Sequence, residues 1–582
     1  FVEYNKGKKE NEKMTLAKYK ELVSEYTNTS NHQTKELFRQ TIEGIKRAFK
    51  TELSNQFKEK LAKLRGKVIM LEGPTLFGER TKAEKAELKK LKEKLNILEK
   101  EQEDIQKNKL YVDAFEWRFE FPQLFDKNGL FTGFDITIGN PPYNELRDLD
   151  LSMQTALKLS RHYEYAKGGR LNMFQFFYPL AINIARDNGI VSMITQNSIL
   201  AEDSALGNRK LFFAQTDILS IDSFPERDNK NLRVFESAKM SVCICTLRRN
   251  NQPDAYKTIP INVWHSRFMQ VKHKLNITIK EIIEMYPEDF IIPISSNEKF
   301  SILKDIKQKG QYHIIASAGE IDMTKYKSKF NNIGLGTRVI TGAQIQRYYI
   351  TDTPSQGNVI YINDQNKPGL SSKREQEVSN PRIVLQRITG VDSKVRIIST
   401  LINGHMYCAN STNYIANDNS INIKYLLGVL NSSLVNFFIK QTSTNTNITA
   451  KVLNSIPIIF PSTKMQEAII RIVDYVLIIK SLPSDIIIDQ YVDNDVMARQ
   501  FENVIDALIY ELYFSDEFAQ ENISFVDSVL RDFQIINANT ESVVQIILDT
   551  FTKLRSMDND IRNNLKYMSI KLESLLAPII NI

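Results

Sequence analysis

The chain has 582 residues, 42% of them hydrophobic, and a formal net charge of +7. That length supports three or more folding units with sizeable cores. It holds no run of 18 apolar residues, which argues against a membrane-spanning helix, and no signal-peptide pattern opens it. Three cysteines, Cys243, Cys245 and Cys408, are too few for a disulfide framework or a metal quartet. They suit a reducing compartment, the cytoplasm. The six histidines (32, 162, 265, 273, 313 and 405) form no ligand-spaced pair, so no metal site is expected.

The charge is unevenly spread. Residues 257–462 carry 24 Lys/Arg against 14 Asp/Glu, whereas residues 463–582 carry 10 against 19. A basic middle beside an acidic end suggests a polyanion-binding unit followed by one that avoids the polyanion.

In chain order, residues 34–65 read as an amphipathic helix, with Phe38, Ile42, Ile45, Phe49, Leu53, Phe57, Leu61 and Leu64 at steps of three and four. Gly73-Pro74 and Gly78 break it. A second helix from about Lys82 to Lys107 has the seam Leu88, Leu91, Leu95, Leu98 and Ile105, predicting a coiled-coil-like arm over residues 1–110.

From Tyr111 the texture becomes α/β. The run Ile136-Thr137-Ile138 reads as a buried strand, and Met173 to Ala185 as a helix stopped by Asp187-Asn188-Gly189. Further strands are predicted at Ile190–Ile194, Ile218–Phe224 and Met240–Leu247, in a doubly wound, mostly parallel sheet. Residues 257–462 show short strand-like runs between polar loops, then a helix from Leu426 to Lys440 and a polar loop from Thr442 to Thr449. Residues 463–582 return to helix, notably Met465–Ile479 and Val496–Tyr513.

The chemistry concentrates in Gly139-Asn140-Pro141-Pro142-Tyr143. Two consecutive prolines lack backbone donors and fix φ, so the strand must stop there. The carboxyl end of a strand in an open α/β sheet is where ligands bind. The Asn140 side-chain oxygen and the Pro141 carbonyl can accept the two hydrogens of a ring-conjugated amino group, localising its lone pair for attack on a methyl group. Tyr143 can stack on the ring, a contact worth about 1–3 kcal/mol.

This stretch, preceded by Phe121-Pro122 and Gly133-Phe134-Asp135, resembles motif IV of γ-class DNA adenine methyltransferases, the TaqI-like enzymes and the Eco57I-like restriction-modification proteins. Arg170-Leu171-Asn172-Met173-Phe174-Gln175-Phe176-Phe177 resembles their motif V, although Asn172 stands where many members carry Asp. Asp187 to Thr195 matches the next strand. Phe235-Glu236-Ser237-Ala238-Lys239-Met240-Ser241-Val242 resembles motif VIII. The likeness is strong over 111 to about 250 and looser beyond.

The resemblance implies a catalytic half-domain at 111–256, a TaqI-like target-recognition domain at 257–462 and a helical tail at 463–582. It implies site-specific methylation of adenine in double-stranded DNA with S-adenosylmethionine, the base being flipped out of the duplex. Asn140, Pro141, Pro142 and Tyr143 would be catalytic, and Tyr143 and Phe235 would flank the base. In the basic region Arg338, Gln344, Gln346, Arg347, Tyr348, Arg382 and Arg387 are candidate DNA contacts.

No Asp-x-Gly-x-Gly or Phe-x-Gly-x-Gly cofactor turn is found. The nearest sequence, Gly334-Leu335-Gly336, is not followed by a helical pattern and is not read as one. The fold class expected is therefore a partial Rossmann-like methyltransferase sheet whose first strands and cofactor loop are missing, leaving a hydrophobic edge at the opening strand. The first residue, Phe1, hints at a preceding cofactor-binding or nuclease portion, in the same chain or a separate one. The alternatives are methylation of RNA or of a protein glutamine, and a DNA-specificity module inactive on its own.

Overall fold

The computed structural model describes the chain except residues 1–3, 49–54, 74–81, 107–114, 116, 167–170, 269, 368, 390–394, 443–446, 484, 538 and 582. Gly78, Arg170 and half of the polar loop from Thr442 to Thr449 lie outside the described residues, as do Phe49 and Leu53. The chain separates into two compact units, residues 1–137 with 183–189, and residues 138–182 with 190–582. Among the described residues no helix is long and apolar enough to cross a membrane.

The first unit is largely helical. The expected helix over 34–65 is described as two, His32–Arg47 and Asn55–Glu72. The predicted second arm helix spans Lys82–Gln106. Arg65 of one arm helix bonds Glu99 of the other at 2.9 Å. Asn31 caps the helix His32–Arg47 by accepting from the Gln33 and Thr34 backbone amides. An aromatic cluster of Trp117, Phe121, Phe131 and Phe134 packs at the start of the opening strand, its neighbouring ring centroids 5.0–6.0 Å apart.

The central sheet has six strands: β1 (Phe134–Gly139), β2 (Ala185–Gln196), β3 (Thr216–Phe224), β4 (Val242–Arg249), β5 (Thr258–Trp264) and β6 (Val271–Thr278). Their spatial order is β1-β2-β4-β3-β5-β6. The expectation of a mostly parallel sheet is corrected: β4 is antiparallel to both β2 and β3, β5 is parallel to β3, and β6 is antiparallel to β5. The connections explain this. The segment between β2 and β3 includes a helix, Leu206–Gln215, and permits two strands of one direction. β4 returns from β3 through residues 225–241, which hold no helix, and so enters between them reversed.

β1 lacks the burial its apolar run suggests and has the hydrophobic edge expected at this strand. It is an edge strand, and Ile136 and Ile138 are 65% and 81% exposed. Cys243 and Cys245 do share one buried face of β4, their sulfurs 3.9 Å apart, and all three cysteines are free.

The basic region builds two four-stranded sheets. One runs Tyr407–Cys408, Thr337–Ile340, Ile360–Ile362, Phe330–Asn331, and the other Ser399–Ile402, Arg382–Gln386, Thr412–Ala416, Ala316–Ala318. The expected helix Leu426–Lys440 is split into Ile423–Leu430 and Ser433–Thr442. Asn431 at the break turns inward, accepting from the Ser399 amide and hydroxyl and donating to the Ser399 carbonyl. Burying an amide with its bonds made costs little, whereas leaving them unmade is expensive.

The acidic tail packs on this region. Helices Thr463–Ser481 and Asn494–Tyr513 approach Ile423–Leu430 so closely at Gly428 that an added methyl would sit 3.0 Å from Ile469 and Val473. Arg347 pairs with Glu502 of the tail, and the Ser433 amide donates to Asp506 at 2.9 Å. Removal from water raises the Asp506 carboxyl from 3.8 to about 6. A folded pKa above the unfolded one gives stability that is full below about pH 4 and is lost as pH rises through about 6. Asp506→Asn should therefore gain melting temperature relative to the wild type as pH rises from about 4 to about 6, measured by thermal unfolding across that range.

Candidate active site

The two prolines stop β1, and the chain beyond them needs hydrogen-bond partners from elsewhere. They come from the segment 171–175. The Leu146 amide donates to the Leu171 carbonyl at 2.8 Å and the Met173 amide to the Asn144 carbonyl at 2.9 Å, with a bridge between Glu145 and Asn172. The Asn172 side chain donates to the Tyr143 carbonyl at 2.7 Å. This accounts for the departure from the Asp of the resembled motif. An ionised aspartate has no hydrogen to give and would place a negative oxygen against that carbonyl.

Asn172 is itself held. Its backbone amide donates to Gln175 Oε1 at 2.7 Å, and the buried Gln175 donates to the Ser204 carbonyl at 2.7 Å. Buried Phe174, at the head of helix Phe174–Ile184, packs edge-on to Tyr143 with centroids 6.3 Å apart. Both segments are thus locked to the helix and sheet rather than left as free loops.

Asn140 and Tyr143 are brought together. The Tyr143 hydroxyl lies 2.8 Å from Asn140 Oδ1 and 3.0 Å from the carbonyl oxygen of Ile194 on β2. Burial pushes the Tyr143 hydroxyl up to about 12, so it stays protonated near neutrality. Asn140 is exposed, Pro141 buried, Pro142 exposed and Tyr143 half-buried.

Phe235 joins them. It sits half-buried in the loop between β3 and β4, with its ring centroid 6.3 Å from that of Tyr143 and the planes tilted by 56°. A planar group between them needs two van der Waals spacings, about 7 Å. The rings therefore touch each other as they stand, and a guest would displace one. The Phe235 loop is anchored from its far side, where the Arg267 amide bonds the Leu232 carbonyl at 2.9 Å and the Arg267 guanidinium pairs with Glu236.

The residues expected at DNA are mostly not presented to it. Buried Arg382 pairs with Glu320, donates to the Met406 carbonyl at 2.6 Å and lies over the Tyr414 ring. Buried Gln344 closes a capping box with Thr341. Arg347 holds Glu502 and the Asn431 carbonyl, and Tyr348 is 2% exposed. In this structure these four side chains are engaged within the fold. Arg338, paired with Asp352, Gln346, and Arg387, bonded to the Asn410 carbonyl, are half-buried. Gly334-Leu335-Gly336 leads into the strand Thr337–Ile340 and not into a helix, so it is no cofactor cradle.

Replacing Asn172 by Asp should remove one bond and strand the Tyr143 carbonyl, at a cost of about 1–3 kcal/mol. Thermal unfolding and faster amide exchange at Leu146 and Met173 would report it, while Asn172→Ser should do less harm.

Residues 7–230 match the Eco57I restriction-modification methylase family, and residues 337–458 the TaqI-like C-terminal specificity domain. A protein of Methanocaldococcus jannaschii named as a type II restriction enzyme and methyltransferase is 23% identical over 456 residues, which cover 72% of this chain and 34% of that protein. The chain thus spans about a third of the length of the curated relative it matches. Among solved structures, the Type IIL restriction-modification enzyme MmeI in complex with DNA aligns at 13% identity and TM-score 0.40, over 72% of this chain and 57% of that one. A nuclease-deletion mutant of the Type ISP enzyme LlaGI with a DNA substrate mimic aligns at 12% identity and TM-score 0.35, over 76% and 44%. Residues 7–230 are thus similar to Eco57I restriction-modification methylases, and residues 337–458 to the TaqI-like C-terminal specificity domain.

Proposed function

We propose that this chain supplies the base-binding side of a DNA adenine methyltransferase in a restriction-modification system. The observation that carries the reading is the cluster Asn140, Tyr143 and Phe235 at the carboxyl end of β1, two acceptors beside two rings. An adenine reaches such a cluster only by leaving the duplex stack. Asn140 Oδ1 and the Pro141 carbonyl accept its amino hydrogens, and Tyr143 and Phe235 flank the ring. Pro142 keeps the Pro141 carbonyl out of any strand pairing by ending the ladder. The methyl donor of this chemistry is S-adenosylmethionine. We assign no residue of the chain to it.

Tyr143 also orients Asn140. One hydroxyl hydrogen serves one acceptor at a time, and two lie within reach. Donation to the Ile194 carbonyl leaves the hydroxyl oxygen free to accept from Asn140 Nδ2 once that amide turns. Oδ1 then faces the substrate with both lone pairs.

A second reading is favoured by one observation, the exposure of Ile136 and Ile138 along edge strand β1. An open apolar edge calls for another strand. The chain alone would then bind DNA without transferring a methyl until that edge is covered.

The test is incubation with labelled S-adenosylmethionine and mixed-sequence duplex DNA, followed by nucleoside analysis. Label in N6-methyladenine supports the first reading. DNA binding without label supports the second, and neither binding nor label overturns both. In an active preparation, Asn140→Ala should lower kcat at least about 100-fold, the scale for loss of one preorganised electrostatic partner, with DNA affinity retained. Tyr143→Phe, which keeps the ring, should lower kcat by about one hydrogen bond, roughly five- to tenfold, with KM for DNA unchanged.

A further inference from the structure

The turn from Asn331 to Gly336 is built in a way the methylation chemistry does not require. It joins the edge strand Phe330–Asn331 to Thr337–Ile340, which are not neighbours: Ile360–Ile362 lies between them and pairs with both. The turn must therefore pass over the end of that middle strand. Gly336, at φ +93°, makes the crossing, since a methyl there would meet the Ile362 carbonyl oxygen at 2.2 Å. Gly334, at φ +84°, takes the second left-handed position in open space.

The turn is pinned from inside by one side chain. Asn331 Oδ1 accepts from the amides of Ile333 at 3.3 Å and Leu335 at 3.1 Å, and its Nδ2 donates to the carbonyls of Leu335 at 2.8 Å and Tyr361 at 3.3 Å. On this braced tip Ile333 and Leu335 stand 73% and 55% exposed. Two large aliphatic side chains held out to water by a preorganised turn are an interaction feature, not a packing leftover.

The surroundings say what kind. Lys325, Lys327 and Lys329 immediately precede the edge strand, all exposed, and among the described residues none is ion-paired. Lys325 and Lys329 both lie over the Tyr326 ring, at 5.6 and 5.4 Å. The nearby Asp322 is turned to its own loop, accepting from the Thr324 and Lys325 amides. A rigid apolar point flanked by free cations matches a partner with a charged exterior and a stacked apolar interior.

We infer that the Asn331–Gly336 turn is a wedge that enters duplex DNA, with Ile333 and Leu335 prying a base step and Lys325, Lys327 and Lys329 holding the flanking phosphates. Apolar side chains inserted at a base step bend the duplex, and the bend brings more protein surface onto it. An anionic membrane would also attract lysines and aliphatics. Two aliphatic side chains on a short turn, in a region whose Lys/Arg exceed its Asp/Glu over about two hundred residues, favour the polyanion. The inference rests on the reading that this chain acts on duplex DNA.

The experiment uses the full chain and a duplex enriched by it from a random-sequence pool, labelled at both ends for energy transfer. The wild type should bind and shorten the end-to-end distance. Ile333→Ser with Leu335→Ser should bind about tenfold more weakly and leave the duplex straight, with an unchanged melting temperature. The triple Lys325→Ala, Lys327→Ala, Lys329→Ala variant should flatten the dependence of log affinity on log salt by about 2–3. A straight duplex with wild type, the same bend with the serine variant, or an unchanged salt slope overturns the wedge while DNA recognition stands. Failure of the wild type to enrich any duplex overturns the underlying reading instead. Preferential binding of these residues to vesicles of anionic phospholipid overturns the wedge in favour of a membrane surface.

Discussion

The loss of two backbone donors at Pro141 and Pro142 is the constraint around which the candidate site is arranged. A strand cannot pair through them, so the chain after β1 must find its hydrogen bonds in another segment. It finds them in residues 171–175, through the Leu146 amide, the Asn144 carbonyl and the Asn172 side chain on the Tyr143 carbonyl. That attachment presents the Asn140 amide and the Tyr143 ring from a rigid base. The same geometry selects the residue at position 172, since only a donor satisfies the carbonyl it meets.

The basic region shows how charge in a sequence divides between architecture and surface. Arg382 and Arg347 are of a type that suits nucleic-acid contact, yet both are used as internal cross-links, to Glu320 and to Glu502. Buried guanidinium groups require such pairing, because an unpaired charge away from water is costly. The lysines behave oppositely. Lys325, Lys327 and Lys329 keep strongly hydrated heads in solvent and remain available to a partner. Net charge therefore marks the region, and the pairing of each group decides which part of it faces outward.

Much of the α/β part was legible beforehand. The helix at Phe174–Ile184 and the strands β3 and β4 follow from apolar runs, and the alternation of Cys243 and Cys245 placed both on one face; β2 was read only in part, since it begins at Ala185 and takes in Asp187-Asn188-Gly189, the residues expected to stop the helix. Strand direction was not legible, because a hairpin return and a crossover leave similar apolar runs; only the absence of a helix in 225–241 distinguishes them. The break at Asn431 was hidden in a continuous apolar periodicity. The helix is interrupted by a set of hydrogen bonds to Ser399, a residue 32 positions away in the sequence.

By itself the sequence determined the local chemistry of this protein: where β1 must stop, which acceptors and rings come after it, and which family those blocks resemble. These depend on residue type and short spacing, which folding does not alter. Tertiary structure decided the rest: that Tyr143 touches both Asn140 and Ile194, that Phe235 closes on it from a distant loop, that Arg382 is internal and that Ile333 and Leu335 are not. Each of these turns on which groups, far apart in the chain, meet in space, and burial and pairing are properties of that meeting rather than of any residue alone.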